Sequence, residues 1–185
     1  YIPLVFSCTI IPGIRRRASS IELMPYERIS ALVITVDESG DLNESSAFFD
    51  ADDTLWENEQ FFRDAEAQFA ELLSDYTSEV GVQEMLWHKQ EENIPLFGYG
   101  SKTYMIGMTD AALELCGGTL PKKIYYGIKK IITDLVFHEF RLFDGVEETL
   151  KALHEHNTMI VATKGDLTEQ LGKYRASGLE QYFHH

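Results

Sequence analysis

The stretch SAFFDADDTLW at residues 46–56 decides how the rest of this chain is interpreted. Its apolar run ends at Asp50, and Asp52 and Asp53 follow within three residues. Like charges this close repel one another, so a simple polar turn would not need them. A carboxylate at the end of a buried strand, with a second carboxylate two residues later, is instead typical of a nucleophile and its acid/base partner. The pattern therefore predicts a strand that carries reactive carboxylates at its carboxyl end.

The composition is that of one globular domain, or of one domain with a large insertion. The chain has 185 residues, of which 44% are hydrophobic and 25% charged, so it can bury a sizeable core. Sixteen basic and thirty acidic residues give a net charge of −14, which disfavours nucleic acid as a partner. No apolar run is long enough to cross a membrane. Two cysteines, Cys8 and Cys116, favour free thiols in a reducing cytoplasm.

Two apolar strands separated by helices predict an α/β fold with a parallel sheet. The first strand ends at Asp50, and TMIVAT at 158–163 is a continuous apolar run that ends at Thr163. Because the carboxyl ends of parallel strands meet at one edge of a sheet, we expect the site to lie there. ALVITVD at 31–37 is a further candidate strand, and ESGDLNESS at 38–46 reads as a polar linker.

Between the two strands, apolar residues recur at helical spacing. We expect helices at about 57–76, at 79–92, from 102 to the CGG sequence, and from Pro121 onward. NIPLFGYGS at 93–101 is expected to be a loop, and GYGSKT within and after it a hinge or specificity loop. A further helix is predicted at 145–156, and another begins at Asp166 and ends at Gly178.

The residues after the first strand suit phosphoryl transfer. Asp50 can attack phosphorus when a divalent cation neutralises it, and Asp52 can give a proton to the leaving oxygen and later take one from water. Oxygen ligands at such a turn suit Mg²⁺, which keeps several waters and bridges to phosphate. Such a cation also removes the electrostatic objection to an anionic substrate, because a phosphate interacts with the local charge of the site and not with the net charge of the chain. Asp53 is expected to start the next helix.

Three stretches resemble the haloacid dehalogenase-like (HAD) hydrolase superfamily over residues 46–185. They are FFDADDTLW at 48–56 for its first motif, MIVATKGD at 159–166 for its second, and LFDGVEETLKAL at 142–153 for the helix after its cap. The resemblance implies a Rossmann-like parallel sheet with an inserted helical cap of the C1 type. It also implies a phosphatase of small phosphorylated metabolites that uses Mg²⁺.

The resemblance further implies a division into parts and roles. The α/β core would comprise 46–56 and 143–185, the cap 57–142, while 1–45 have no assigned role. Asp50 would be nucleophile and metal ligand, and Asp52 general acid/base with its backbone carbonyl on the metal. Thr163 would bind the phosphoryl oxygens. Lys164 is a further candidate for phosphate contact, with a solvated turn lysine as the alternative.

The sequence departs from the family after its second motif. The family has a lysine and an acidic cluster further along, whereas this chain has no Asp after Asp166, and its only later lysine, Lys173, falls within a helix and too early. A non-catalytic fragment or binding module therefore stays open, as does a phosphoglycomutase or dehalogenase. We also expect these 185 residues alone to be a weak catalyst and to self-associate, unless residues 1–45 cover the open sheet.

Overall fold

The computed structural model describes residues 21–22, 31–35 and 45–184, with side chains described for 47–184. Within these residues, no helix combines the length and the apolar character that crossing a membrane requires. The elements are β1 (Ile21–Glu22), β2 (Ala31–Thr35), β3 (Ser45–Asp50), α1 (Glu59–Leu72), α2 (Glu79–Phe97), α3 (Ser101–Leu115), α4 (Lys122–Val136), α5 (Val146–His154), β4 (Asn157–Ala162), α6 (Leu167–Ser177) and a 3₁₀ turn (Leu179–Tyr182).

The described strands form one sheet in the order β1-β2-β3-β4. β3 and β4 are parallel, with Asp50 opposite Ala162, which confirms the predicted parallel pair. On the other side of β3, β2 pairs antiparallel, with Ala31 opposite Phe49, and β1 pairs antiparallel with β2. The sheet is therefore mixed, and the candidate strand at 31–37 is a strand over 31–35. Of the predicted linker at 38–46, residues 38–44 lie outside the described residues, and the prediction is wrong for 45 and 46, which belong to β3.

The four helices α1 to α4 pack around an apolar core of their own. This arrangement follows from the sequence, because apolar residues three or four apart share one face of each helix. The side chains of this core that have no exposed surface are Phe69, Leu73, Met108, Ala111, Ala112 and Ile128. Gly117 and Gly118 after α3 have φ angles of 73° and 85°, the left-handed conformation expected of them.

The expected loop at 93–101 is wrong for its first five residues, since α2 continues to Phe97. Pro95 lies in the last turn of the helix, where its missing N–H removes only one bond. Asn93 is buried and donates its side-chain N–H to the Lys89 carbonyl at 2.9 Å and to Asp110 Oδ2 at 3.1 Å. Because Asp110 belongs to α3, this contact holds the last turn of α2 against the next helix. Gly98, with φ of 77°, then ends the helix.

A second apolar core lies on one face of the sheet. Alternate residues of a strand point to the same face, so Ala47 and Phe49 of β3 and Met159 of β4 point together and are fully buried. Helix α5 and the 3₁₀ turn cover them with Val146, Leu150 and Leu179. This packing fixes the parallel pair whose carboxyl ends carry the candidate site.

The loops that join the sheet to the helices also pair with each other. Glu57 N donates to the Arg141 carbonyl at 3.0 Å, and Phe143 N donates to the Leu55 carbonyl at 3.2 Å. The segment that leads from β3 to the helices and the segment that leads back from them to α5 are therefore hydrogen-bonded to each other. This pairing lies next to the residues that follow β3.

Candidate active site

The segment after β3 is a tightly bonded turn. Leu55 N donates to the Ala51 carbonyl at 2.8 Å, and Asp53 N donates to the Trp56 carbonyl at 2.8 Å. Ala51, Leu55 and Trp56 are buried, so the turn is anchored by its apolar residues. This anchoring leaves Asp50 and Asp52 at the edge of the sheet with fixed backbones.

Asp50 is the last residue of β3 and is exposed at the carboxyl edge of the sheet. Its Oδ1 accepts the Ala51 N–H at 3.0 Å. Partial burial of the carboxyl group raises the pKa of Asp50 above its ordinary value, and the charges of Asp52 and Asp53 act in the same direction; the Ala51 N–H and the Lys164 ammonium act against it. The neighbouring carboxylates of Asp52 and Asp53 also place negative charge close to Asp50, which favours binding of a cation there.

Asp52 is held from three sides. The indole Nε1 of Trp56 donates to Oδ1 at 2.7 Å, and Lys173 Nζ lies 3.0 Å from the same oxygen. Gln170 Nε2 donates to Oδ2 at 2.8 Å. Both oxygens of the second carboxylate therefore have fixed partners, in contrast to the exposed Asp50.

Lys173 and Gln170 are site residues that the sequence reasoning missed. Lys173 lies within helix α6, as predicted, and its ammonium reaches Asp52 across 121 positions of sequence, a contact that the sequence reasoning did not foresee. The sequence did carry a signal for this contact, since Lys173 lies one turn after both Glu169 and Gln170 on α6. These three polar residues lie on the helix that follows β4 and Thr163, so the helix face could have been marked as part of the candidate site.

Thr163 and Lys164 follow β4 directly, as the motif predicted. Both are exposed, and Thr163 Oγ1 accepts the N–H of Gly165 at 3.3 Å. Lys164 lies close enough to Asp50 to influence its carboxyl group electrostatically. The hydroxyl and the ammonium therefore stand at the same sheet edge as the two carboxylates, and their contact with phosphate stays a prediction.

Asp53 caps helix α1, as expected. Its φ of 57° is left-handed, and its carboxylate accepts the backbone N–H groups of Asn58 and Glu59 at 2.9 and 2.8 Å. These are orphan donors at the start of the helix, and a carboxylate there is favoured by the helix dipole. Asp53 therefore stabilises the start of helix α1.

The loop between α2 and α3 contacts the segment that follows β4. Glu169 Oε2 accepts the backbone N–H of Ser101 at 3.1 Å and its hydroxyl at 2.7 Å. Lys102 Nζ donates to both oxygens of Asp166, at 3.0 and 2.9 Å. A Cβ on Gly100 would lie 3.1 Å from Asp166 Cβ, so the two segments touch closely. The loop predicted as a hinge or specificity loop is therefore a contact between the helical unit and the sheet unit.

A cleft of about 350 Å³ opens where these two segments meet. Phe97, Tyr99 and Ile106 supply apolar surface on the helical side, and Lys102 and Lys164 supply amines. Gly98, Gly100 and Gly165 also line it, and glycines leave backbone groups accessible. The cleft is large enough for a compact organic group and shares Lys164 with the surroundings of Asp50.

The groups available to a divalent cation are few. Among the described residues, no cluster of three or more His, Cys, Asp or Glu side chains is arranged to hold a metal. Mg²⁺ needs less than that, because it usually keeps several waters and takes one or two carboxylates plus substrate oxygens. The carboxylates close to Asp50 are compatible with this mode, in which the Asp50 carboxylate and the Asp52 backbone carbonyl would be the protein donors.

Comparison with known proteins identifies the family of this chain. Residues 46–185 match the family model of the haloacid dehalogenase-like hydrolases. The match covers most of the chain, so the chain belongs to the haloacid dehalogenase-like hydrolases, as its motifs indicated. No curated protein matches the sequence significantly.

Several solved structures are similar to this chain. A haloacid dehalogenase-like family hydrolase from Xanthomonas campestris is 34% identical, with a TM-score of 0.69 over 74% of this chain and 57% of that chain. A predicted phosphoglycolate phosphatase from Haemophilus somnus 129pt is 21% identical, with a TM-score of 0.44 over 74% and 59%. A HAD-hydrolase from Bacillus subtilis bound to magnesium is 20% identical, with a TM-score of 0.42 over 74% and 61%. The chain thus spans less than two thirds of each of these proteins.

Proposed function

We propose that this haloacid dehalogenase-like hydrolase cleaves phosphate monoesters of small metabolites, with Asp50 as nucleophile and Asp52 as general acid and base. One observation carries this function: an exposed carboxylate at the end of β3 stands beside a second, firmly held carboxylate, with Lys164 near the first. A nucleophile must be accessible to phosphorus, whereas a general acid must be held in a fixed orientation toward the leaving oxygen. Asp50 is exposed and Asp52 is held through both oxygens, so the two aspartates differ in this way. The composition favours a cytoplasmic enzyme.

The chemistry needs two displacements at phosphorus. An Asp50 oxygen attacks phosphorus, the bond from phosphorus to the ester oxygen breaks, and Asp52 gives that oxygen a proton, so an alcohol leaves and an aspartyl-phosphate remains. Water then attacks phosphorus while Asp52 takes its proton, which releases inorganic phosphate and restores Asp50. Thr163 and Lys164 would hold the phosphoryl oxygens during both steps.

Mg²⁺ is the cation that these donors suit, with the Asp50 carboxylate and the Asp52 carbonyl as its protein ligands. When bound, it would neutralise negative charge on the carboxylate and on the phosphoryl oxygens. A phosphate could then bind despite the net charge of −14. Dependence on Mg²⁺ is thus part of the proposed function.

The leaving group would lie in the cleft between the helical unit and the segment after β4. Phe97, Tyr99 and Ile106 there offer apolar contact, and Lys102 offers a charge. This cleft would discriminate between phosphate esters by their leaving groups, while the phosphoryl group would contact the aspartates. The helical unit therefore acts as the cap and sets specificity.

A direct test measures hydrolysis of p-nitrophenyl phosphate by the full-length protein, with Mg²⁺ and after chelation. We expect turnover only with the divalent cation. Asp50→Asn should abolish it, because an amide neither attacks phosphorus nor neutralises the cation. Asp52→Asn should keep metal affinity, since its metal contact is a backbone carbonyl, but lose roughly 10²–10⁴-fold in rate. Equal turnover in chelator, or equal loss of metal affinity in both variants, would contradict this function.

A further inference from the structure

Lys173 is a cation that the proposed reaction has not used. Only 12% of its side chain is exposed. Its Nζ lies 2.7 Å from Asn58 Oδ1, 3.0 Å from Asp52 Oδ1 and 3.7 Å from Glu169 Oε1. A lysine this far from water is stabilised only by partners of this kind. The three oxygens therefore fix where its ammonium lies.

These contacts come from three separate elements. Asn58 directly precedes α1, Asp52 belongs to the turn after β3, and Glu169 lies on α6 one turn before Lys173. The lysine therefore joins the start of the cap, the acid/base carboxylate and the helix after β4. A group held between three elements is harder to displace than one held by a single helix.

The cap reaches the same lysine by a second route. Glu169 divides its carboxylate, because Oε2 accepts both donors of Ser101 while Oε1 faces Lys173. Ser101 is the first residue of α3, directly after the loop that lines the cleft. A continuous set of contacts thus runs from Ser101 through Glu169 and Lys173 to Asp52.

We propose that Lys173 is a positioning residue that aims the Asp52 carboxylate, and that Glu169 ties this lysine to the cap through Ser101. This role rests on the proposed function, in which Asp52 gives a proton to the leaving oxygen. A carboxylate that turns about its own side chain would lose that aim, and misplacement by about 1 Å can cost 10²-fold in rate. Trp56 and Gln170 also hold the carboxylate. Loss of Lys173 should therefore make the orientation of Asp52 less fixed, while its two other contacts remain.

The kinetic test compares Lys173→Met with the wild-type full-length protein on two esters. An alkyl phosphate has a poor leaving group that needs the proton from Asp52, whereas p-nitrophenyl phosphate has a good one that needs it less. We expect kcat/KM on the alkyl ester to fall roughly tenfold or more beyond the fall on the aryl ester, because kcat/KM reports the step in which the ester oxygen leaves. Lys173→Arg should recover part of the activity that Lys173→Met loses on the alkyl ester, because it keeps the charge. Lys151→Met, an exposed lysine of α5, is the control and should change neither.

A readout independent of activity is the indole N–H resonance of Trp56 in a proton–nitrogen spectrum. Its Nε1 donates to Asp52 Oδ1, so movement of the carboxylate in Lys173→Met should shift it. Trp87 is 59% exposed on the outside of the helical unit and should keep its resonance, which shows that the change is local. Circular dichroism and urea unfolding show whether the variant is folded. Glu169→Gln, which keeps an acceptor for Ser101, should shift Trp56 in the same sense and by less.

Either of two results overturns this role for Lys173. One is an unchanged Trp56 resonance in folded Lys173→Met, and the other is an equal loss of kcat/KM on both esters. A protein that hydrolyses neither ester would refute the proposed phosphatase instead, and the Trp56 resonance would still decide whether Lys173 positions Asp52.

Discussion

At the scale of single residues, neighbouring carboxylates take on different tasks because their surroundings differ. Asp50 is exposed and lies among negative charges, Asp52 is bonded through both oxygens, and Asp53 caps a helix. Under the proposed function, these surroundings suit Asp50 for attack on phosphorus and Asp52 for proton transfer, while Asp53 stabilises the start of α1. Net repulsion within the stretch is offset by backbone N–H groups and by Lys173.

The capping role of Asp53 gives a stability prediction. Asp53→Ala should lower the free energy of unfolding by about 1–2 kcal/mol, because it removes the acceptor for two helix donors and places alanine at a left-handed φ. Asp53→Asn keeps an acceptor and tolerates that conformation, so it should cost only a few tenths. Urea unfolding of the three proteins measures both differences. Equal losses in the two variants would mean that the carboxylate charge, and not the cap geometry, stabilises the turn.

At this scale, the sequence could predict only interactions between residues that are close together in the chain. The roles of Asp53 and Asp166 at helix starts follow from residues within six positions of each. The contact of Lys173 with Asp52 joins two motifs far apart in the chain, and only the parallel pairing of β3 and β4 brings them together. Spacing alone could mark the face of α6 but not what it would meet.

At the scale of elements, α6 shows how one helix start serves two purposes. Asp166 Oδ1 accepts the N–H groups of Thr168 and Glu169, as a cap should. In a complete capping box Glu169 would reach back to the N–H of Asp166, but its carboxylate accepts from Ser101 instead. The start of α6 is therefore also the docking point for the cap.

The ion pair of Lys102 and Asp166 makes this docking sensitive to acid. The hydrogen bond from Lys102, followed by the N–H of Glu169, holds the pKa of Asp166 below its ordinary value of 3.8. A lowered carboxyl pKa stabilises the fold above the ordinary value, and this contribution disappears as pH falls below it.

Urea unfolding of wild type and Lys102→Met across this range tests the sign. The difference in free energy of unfolding should be constant near neutral pH and should shrink in acid. A difference that grows in acid would contradict the assigned pair.

The cleft residues of the cap predict an effect on selectivity. Tyr99 is 55% exposed and lines the cleft beside the glycine loop. Tyr99→Ala should therefore change the ratio of kcat/KM values between bulky and small phosphate esters more than it changes turnover of p-nitrophenyl phosphate. Phe137→Ala, an exposed aromatic at the end of α4, is a matched control. A uniform loss on all esters would point to damage of the cap fold instead.

At the scale of the whole molecule, the sheet has one protected and one partly open side. β2 covers the side of β3 away from β4, so the expected open edge there is occupied by a strand that the apolar pattern at 31–37 had indicated. Among the described residues, β4 has a strand partner on one side only. On its other side His184 N donates to the Met159 carbonyl at 2.9 Å, and His184 Nδ1 accepts the Met159 N–H.

The remaining edge of β4 and the net charge of −14 oppose each other. An unpaired strand edge favours self-association, whereas a large net charge keeps copies apart and is screened by salt. We therefore expect the 185-residue chain to associate more at high ionic strength than at low, as measured by sedimentation velocity.

Ile160→Lys on β4 should reduce this association, because a lysine on an edge strand blocks pairing. A monomer at every salt concentration would show that the edge is already protected.

The central claim concerns Asp50 as nucleophile, and the most direct measurement is to trap the phosphorylated protein. The full-length protein should be mixed with excess phosphate ester and Mg²⁺, quenched in acid within the first turnovers, digested and analysed by mass spectrometry. We expect a phosphate adduct on Asp50 in the wild type and none in Asp50→Asn, because the acyl phosphate forms on that carboxylate. Turnover with an adduct on another residue, or continued turnover by Asp50→Asn, would contradict the account.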